Sequence, residues 1–171
     1  MDLKSRIREV PDFPQKGILF RDVTPLLQDA EAFRYTIDLL AEPYRGRGIE
    51  AVVGIEARGY IFGAPVAYAL GSQFVLVRKL GKLPALTVKV EYALEYGTSA
   101  LEMHRDALAP GQRVLIVDDL LATGGTALAT VKLVEGVGAR VQGLTFVVEL
   151  AGLGGRGRLK GYPLSALVVY D

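Results

Sequence analysis

Cysteine and asparagine are absent from this chain, methionine occurs twice, and His104 is the lone histidine. Without cysteine there is no disulfide framework and no thiol chemistry. With one histidine, metal sites built on His or Cys are excluded, whereas a hard cation held by oxygens remains open. The scarcity of thermolabile residues is a composition found in thermophile proteins. Half the residues are hydrophobic, yet no apolar run approaches the length needed to cross a bilayer. The first residues, MDLKSRIREVPDF, are charged and lack an apolar signal core, so a cytoplasmic protein is expected. A net charge of +1 gives no global basic field for nucleic acid. Repeats and low-complexity linkers are missing too. The 171 residues read as one domain, 1–171, large enough to bury a substantial core.

What is present centres on residues 113–126, RVLIVDDLLATGGT. Residues 114–117 are apolar on both faces, as a buried parallel strand requires. The run ends in Asp118 and Asp119. Ala122, Thr123, Gly124, Gly125 and Thr126 follow, and then about a dozen residues of helical spacing. Glycines let backbone N–H groups converge on one point. A helix start adds unpaired N–H groups and partial positive charge. Thr123 and Thr126 add hydroxyls. A phosphate monoester suits this nest. Two carboxylates at the strand tip repel a phosphate, but they accept hydrogen bonds from vicinal hydroxyls. A sugar phosphate satisfies both halves.

The rest of the chain alternates strands and helices. Residues 2–9 are expected to form a short helix stopped by Pro11. Pro11, Pro14 and Pro25 deny a long element nearby, yet Ile18, Leu19 and Phe20 are too apolar for a freely solvated loop. A helix over 29–47 has Asp29 as N-cap and Phe33, Ile37 and Leu40 on one face. Residues 51–55 form a strand, followed by Glu56, Ala57 and Arg58 and a helix over 60–70 ended by Gly71. Arg58 thus stands just past a strand tip, where open α/β sheets bind ligands. Residues 74–77 are a third strand. RKLGKLP follows with Arg78, Lys79 and Lys82 on the same rim. It is no Walker loop, lacking the required Ser/Thr and upstream glycine. Alternation from Thr98 puts Leu101 and Met103 on one face and Ala100, Glu102 and His104 on the other, a hairpin with 83–97 as its exposed tip. His104 reads as a surface residue without a partner. Residues 126–138 continue the central helix, 141–150 form a strand, and 164–170 a terminal one. GLGGRG at 152–157 matches GxGxxG, but no βαβ unit fits after it, so it reads as a flexible surface turn. The pattern predicts a parallel α/β sheet flanked by helices.

VLIVDDLLATGGT resembles the signature of the type I phosphoribosyltransferases, which use 5-phosphoribosyl 1-diphosphate (PRPP). DDLLATGGT is similar to the wording of members that act on adenine. PDFP–FRD, EARG and RKLGKLP–LEYGT complete four blocks in the family's order, from about Pro11 to near the C-terminus. The resemblance implies that family's fold, with a small hood and flexible loop around 1–25 and 80–100. It implies conversion of adenine and PRPP to AMP and diphosphate. Leu19, Phe20 and Arg21 correspond to the adenine side. Glu56, Ala57 and Arg58 correspond to the diphosphate loop, in which the Glu56–Ala57 peptide is often cis. Lys79 and Lys82 match PRPP ligands, and Arg78 lies near the subunit boundary. Asp118 and Asp119 take the ribose hydroxyls, and Ala122 to Thr126 the 5′-phosphate. Glu95, in LEYGT, matches the acid/base on a mobile hood. Mg²⁺ carried mainly by PRPP and a homodimer are also implied. Ala57 stands where some relatives carry serine, which removes one hydroxyl donor.

Two other functions are open at this level. One is transfer to a different base, hypoxanthine, xanthine or orotate. The other is a non-enzymatic regulator that senses PRPP. Residues 1–50 offer no helix-turn-helix with a basic face for the second.

Overall fold

The computed structural model describes residues 1–94 and 97–171. In chain order the elements are β1 (Arg8–Pro11), β2 (Leu19–Asp22), α1 (Thr24–Gln28), α2 (Ala30–Ala41), β3 (Ala51–Ile55), α3 (Arg58–Leu70), β4 (Gln73–Lys79), β5 (Thr87–Ala93), β6 (Thr98–His104), β7 (Arg113–Leu121), α4 (Gly125–Gly136), β8 (Arg140–Leu150), α5 (Gly155–Arg158) and β9 (Leu164–Tyr170).

Seven strands form one sheet in the order β5-β6-β4-β3-β7-β8-β9, and β1 and β2 form a separate hairpin. The β4-β3-β7-β8-β9 part is parallel, as expected. The sheet as a whole is mixed, because β6 runs antiparallel to both β4 and β5. Strand pleating divides the core. Val52, Leu115 and Val117 face one apolar layer with Leu40, Phe62 and Val66. Val53, Val114 and Ile116 face the other with Val131, Leu133 and Phe146. Burying each such Leu or Phe stabilises the fold by about 1.5–3 kcal/mol. This two-sided burial is why β3 and β7 read as continuous apolar runs.

Two helix ends follow the sequence signals, but the helix expected over 29–47 stops at Ala41: Pro43 lacks the N–H to continue it, and Glu42–Tyr44 tighten into a 3-10 turn. Asp29 caps α2 by accepting from the Glu31 and Ala32 amides, each at 3.0 Å. Gly71 ends α3 in the left-handed region, φ 65°.

Four further expectations need correction. The strand expected to end at Asp118 and Asp119 runs on to Leu121, because β8 continues to pair with it, Asp118 opposite Phe146 and Leu121 opposite Glu149. Residues 2–9 hold only a 3-10 turn, Lys4–Arg6, before β1 begins. From Arg8 onward the chain finds a strand partner, with Arg8 opposite Asp22 and Pro11 opposite Leu19. Arg78 and Lys79 are the last residues of β4 rather than loop, since β6 pairs with them. Residues 87–93, expected in a hairpin tip, are strand β5 in full register with β6. Val88, Val90 and Tyr92 alternate with Thr87, Lys89 and Glu91 and pack against the core, a period-2 signal that the mixed composition of 85–97 as a whole obscures.

Candidate active site

Among the described residues, PDFP–FRD, EARG, RKLGKLP and DDLLATGGT converge near the C-terminal ends of the parallel strands. After β7 the chain turns through Thr123 and Gly124 into α4. Gly124 has φ 81°, which L side chains rarely adopt. Its carbonyl accepts the Leu128 N–H at 2.9 Å, the first bond of the helix. Asp118 and Ala122, Thr123, Gly124, Gly125 and Thr126 line a concavity of about 90 Å³. The small volume and the helix start suit a compact anion.

The loop is held from beneath by the segment read from sequence as a flexible turn, and that reading is corrected. A side-chain carbon at Gly155 would lie 2.4 Å from the Ala122 carbonyl oxygen, and one at Gly124 would lie 2.8 Å from the Gly155 carbonyl oxygen. The two backbones are therefore in direct contact. The segment is anchored by Arg156, whose Nε donates to buried Glu149 at 2.9 Å, and by buried Leu159. From above, the Thr126 hydroxyl reaches the Tyr92 phenol at 3.4 Å. Arg158 Nη1 would lie 3.7 Å from a side-chain carbon at Gly125. Gly155, Tyr92 and Arg158 were missed in sequence; only the paired glycines of 154–155 offered a signal.

Asp118 and Asp119 diverge in environment. Asp119 is buried and pairs with Arg58. Asp118 Oδ1 accepts from the Asp119 amide at 2.9 Å and lies against Gly59, where a side-chain carbon would approach it to 2.7 Å. Burial, and then the neighbouring Asp119 charge, push the Asp118 carboxyl well above the usual carboxylate range. Burial pulls the Arg58 guanidinium down, but the carboxylates of Asp119, Asp118 and Asp22 outweigh it and raise it.

Arg58 opens α3 and also lies 5.6 Å over the Phe20 ring. It thereby joins the acids to a second cavity, of about 430 Å³. Val10, Phe13, Phe20 and Val23 supply that cavity's apolar surface, and Arg21 and Asp22 its polar edge. Phe13 packs edge-on to Phe20 at 5.1 Å. Leu19 does not line the cavity. It is 44% exposed, because neighbouring strand residues face opposite ways. Arg21 borders the cavity with its guanidinium fixed elsewhere: it pairs with Glu9 and stacks 3.8 Å over the Tyr170 ring.

The third cluster follows β3 and β4. The Glu56–Ala57 peptide is cis. Arg78 Nη2 donates to Glu56 Oε1 at 2.6 Å, and its Nη1 donates to the Lys82 carbonyl at 3.1 Å. The Arg78 bond holds the Glu56 carboxyl below its ordinary value. Burial, reinforced by Glu56, pushes the Tyr60 phenol up to about 12; its hydroxyl donates to the Val77 carbonyl at 2.9 Å. Lys79 and Lys82 are exposed on this rim. His104, expected to lack a partner, accepts the Ala85 amide at Nε2, 3.4 Å away. Glu95, expected as the acid/base, lies outside the described residues.

The phosphoribosyl transferase domain family matches residues 24–163. Adenine phosphoribosyltransferase of Clostridium perfringens is 58% identical, over 100% of this chain and 99% of its own. The crystal structure of adenine phosphoribosyltransferase from Thermoanaerobacter pseudethanolicus superposes with a TM-score of 0.95 at 55% identity, covering 98% of each chain. The Saccharomyces cerevisiae enzyme, solved with D-2,5-dideoxy-2,5-imino-altritol 1,6-bisphosphate and adenine, gives 0.91 at 41% identity over 96% of each chain.

Proposed function

The chain belongs to the phosphoribosyltransferase family, and on that premise we propose that it converts adenine and PRPP to AMP and diphosphate. One observation carries this reading. An apolar cavity of about 430 Å³ and a phosphate-sized concavity of about 90 Å³ open at one end of the sheet. The Arg58–Asp119 pair spans the ground between them.

In this reading the base enters between Phe13, Phe20 and Val23, where a flat ring gains stacking and desolvation. Arg21 contributes to its border. The 5′-phosphate takes the N–H groups and hydroxyls of residues 122–126. Asp118 and Asp119 accept the ribose hydroxyls and face the positive charge that develops on the ring. Arg58, the Glu56–Ala57 loop, Lys79 and Lys82 hold the diphosphate. Arg78 sits near the subunit boundary of a homodimer. The bond from C1 of the ribose to diphosphate breaks as the adenine nitrogen bonds to C1. Glu95 moves the purine proton. A hood formed around 1–25 and 80–100 closes over the reacting atoms and excludes water.

Among the described residues no group of three or more His, Asp or Glu could enclose a cation. The adjacent acids fit Mg²⁺ that keeps its substrate and water oxygens. On this reading Mg²⁺ is carried mainly by PRPP, where it would neutralise charge on the leaving diphosphate. No described helix is long and apolar enough to cross a membrane; a cytoplasmic purine-salvage role fits the reaction.

The test is a base panel. The protein is incubated with PRPP, Mg²⁺ and, separately, adenine, hypoxanthine, guanine, xanthine and orotate, and diphosphate release is read. Release with adenine alone is expected. Release with another base retains the PRPP site and discards the base assignment. PRPP binding without release from any base replaces the enzyme with a PRPP sensor. Glu95→Gln is expected to lower kcat by about 100-fold or more with a small change in PRPP affinity. Near-normal turnover removes Glu95 from the acid/base role.

A further inference from the structure

The segment between β4 and β5 carries Lys82 and has no regular structure, yet its backbone is tied down at several points. Glu102 Oε1 accepts the N–H groups of Lys82 and Leu83, each at 3.1 Å. Its Oε2 accepts the Thr87 hydroxyl at 3.2 Å. The Lys82 carbonyl is taken by Arg78. Both backbone polar groups of Lys82 are thus held by side chains. His104, two residues along the same face of β6, takes the Ala85 amide.

Glu102 is an unusual residue for its position. Leu101 and Met103 on either side face the core, so strand alternation turns Glu102 away from it. It is nonetheless only 5% exposed, because the Lys82 segment lies over it. A carboxylate removed from water is unfavourable unless hydrogen bonds replace the lost hydration. Arg78 and Lys89 stand directly opposite it in register, so an ion pair was the available alternative. The hydrogen bonds go instead to two successive amides of a loop. A buried acid that serves a loop backbone sets that backbone's shape.

We propose that Glu102 is a positioning residue that presents Lys82 to the diphosphate of PRPP. This rests on the reaction proposed above and extends it to a residue that touches neither substrate. The loop would otherwise have two inward amides without acceptors, and Lys82 would sample many backbone positions.

The test compares Glu102→Ala, Glu102→Asp and Glu102→Gln with the wild type in the adenine assay, each with a thermal melt. Gln retains one carbonyl oxygen for the two amides and is expected to keep the PRPP KM within about three-fold. Ala offers no acceptor, and Asp keeps the charge but withdraws it by one methylene. Both are expected to raise the PRPP KM about ten-fold or more while the adenine KM moves less than about two-fold. The inhibition constant of magnesium diphosphate should rise alongside. A purely structural role predicts equal losses for both substrates, and that result overturns the proposal. So does an unchanged PRPP KM in a folded Ala or Asp variant. If Ala fails to fold, the contrast between Asp and Gln decides alone. A wild type that makes no AMP defeats the reaction assignment instead, so the two failures are distinguishable.

Discussion

The loop after β7 and the rim after β3 and β4 both face a phosphorylated sugar in the proposed reaction, yet they are built by opposite means. The loop is made of backbone. Its donors are amides joined by the Thr123 and Thr126 hydroxyls, and its shape is fixed by the contact of Gly124 with Gly155, too close for any side chain. The rim is made of charged side chains held by other charged side chains: Glu56 by Arg78, and the Lys82 backbone by Arg78 and Glu102. A backbone nest binds one compact anion in one pose. A rim of jointed cations suits a group that must be held and then released. Diphosphate leaves in each turnover, whereas the 5′-phosphate stays attached to the product.

The contrast can be broken with two probes, AMP for the loop and magnesium diphosphate for the rim. The largest effect is expected from Gly155→Ala. The added carbon meets the Ala122 carbonyl at 2.4 Å and Leu121 Cδ1 at 2.9 Å, so the loop must move. Displacement of this order can lower kcat/KM by about 100-fold. AMP inhibition should weaken strongly and diphosphate inhibition little. If Gly155→Ala weakens both probes equally, the loop and the rim are one mechanical unit and the comparison fails. Glu56→Gln is expected to act in the other direction and more mildly. Gln keeps an acceptor for Arg78 but loses the charge of a partly buried pair. The PRPP KM should rise about three- to ten-fold, with diphosphate inhibition weakened and AMP inhibition unchanged. An equal effect on AMP would show that the rim's ion pairs shape the loop as well.

The same contrast explains what the sequence reveals. The parallel strand β3 and residues 114–117 of β7 were legible because both faces are buried and these runs are uniformly apolar. Asp29, Gly71 and the ATGGT turn were legible because caps and turns are local chemistry, whereas the run of β7 through Asp118–Leu121 was not. The antiparallel edge was half legible: β6 alternates cleanly, whereas the alternation of 87–93 is submerged in a segment of mixed character that reads as a tip. The supports of the site were not legible. Glu102 lies 20 positions from Lys82, and Arg58 lies 61 from Asp119. Nothing in a local window marks such pairings. Gly155 was read as slack chain because glycine-rich segments usually are, and only the facing Gly124 gives it a purpose. Leu19 was placed beside Phe20 in the base cavity because a motif is read as a string, whereas a strand turns alternate residues apart.

The smallest expected effect concerns stability rather than turnover, and it separates the two acids in the last residues of β7 that lead into the loop. Asp118 titrates above the ordinary carboxylate range, first through burial and then through the Asp119 charge. Its folded-state value is raised above the unfolded one, so the folded protein binds this proton more tightly. As pH rises from the unfolded value through the raised one, ionisation increasingly costs stability, and at higher pH the full penalty remains. Asn at 118 has no such ionisation and still offers Oδ1 to the Asp119 amide. Asp118→Asn is therefore expected to melt close to the wild type near about pH 4 and a few degrees above it near about pH 8. A melting difference that does not grow with pH removes the buried-charge account of Asp118. A variant that is less stable at about pH 8 assigns the carboxylate a favourable partner in the fold. The expected result identifies Asp118 as an acid kept in β7 against its own contribution to stability, which is the mark of a group retained for what it binds.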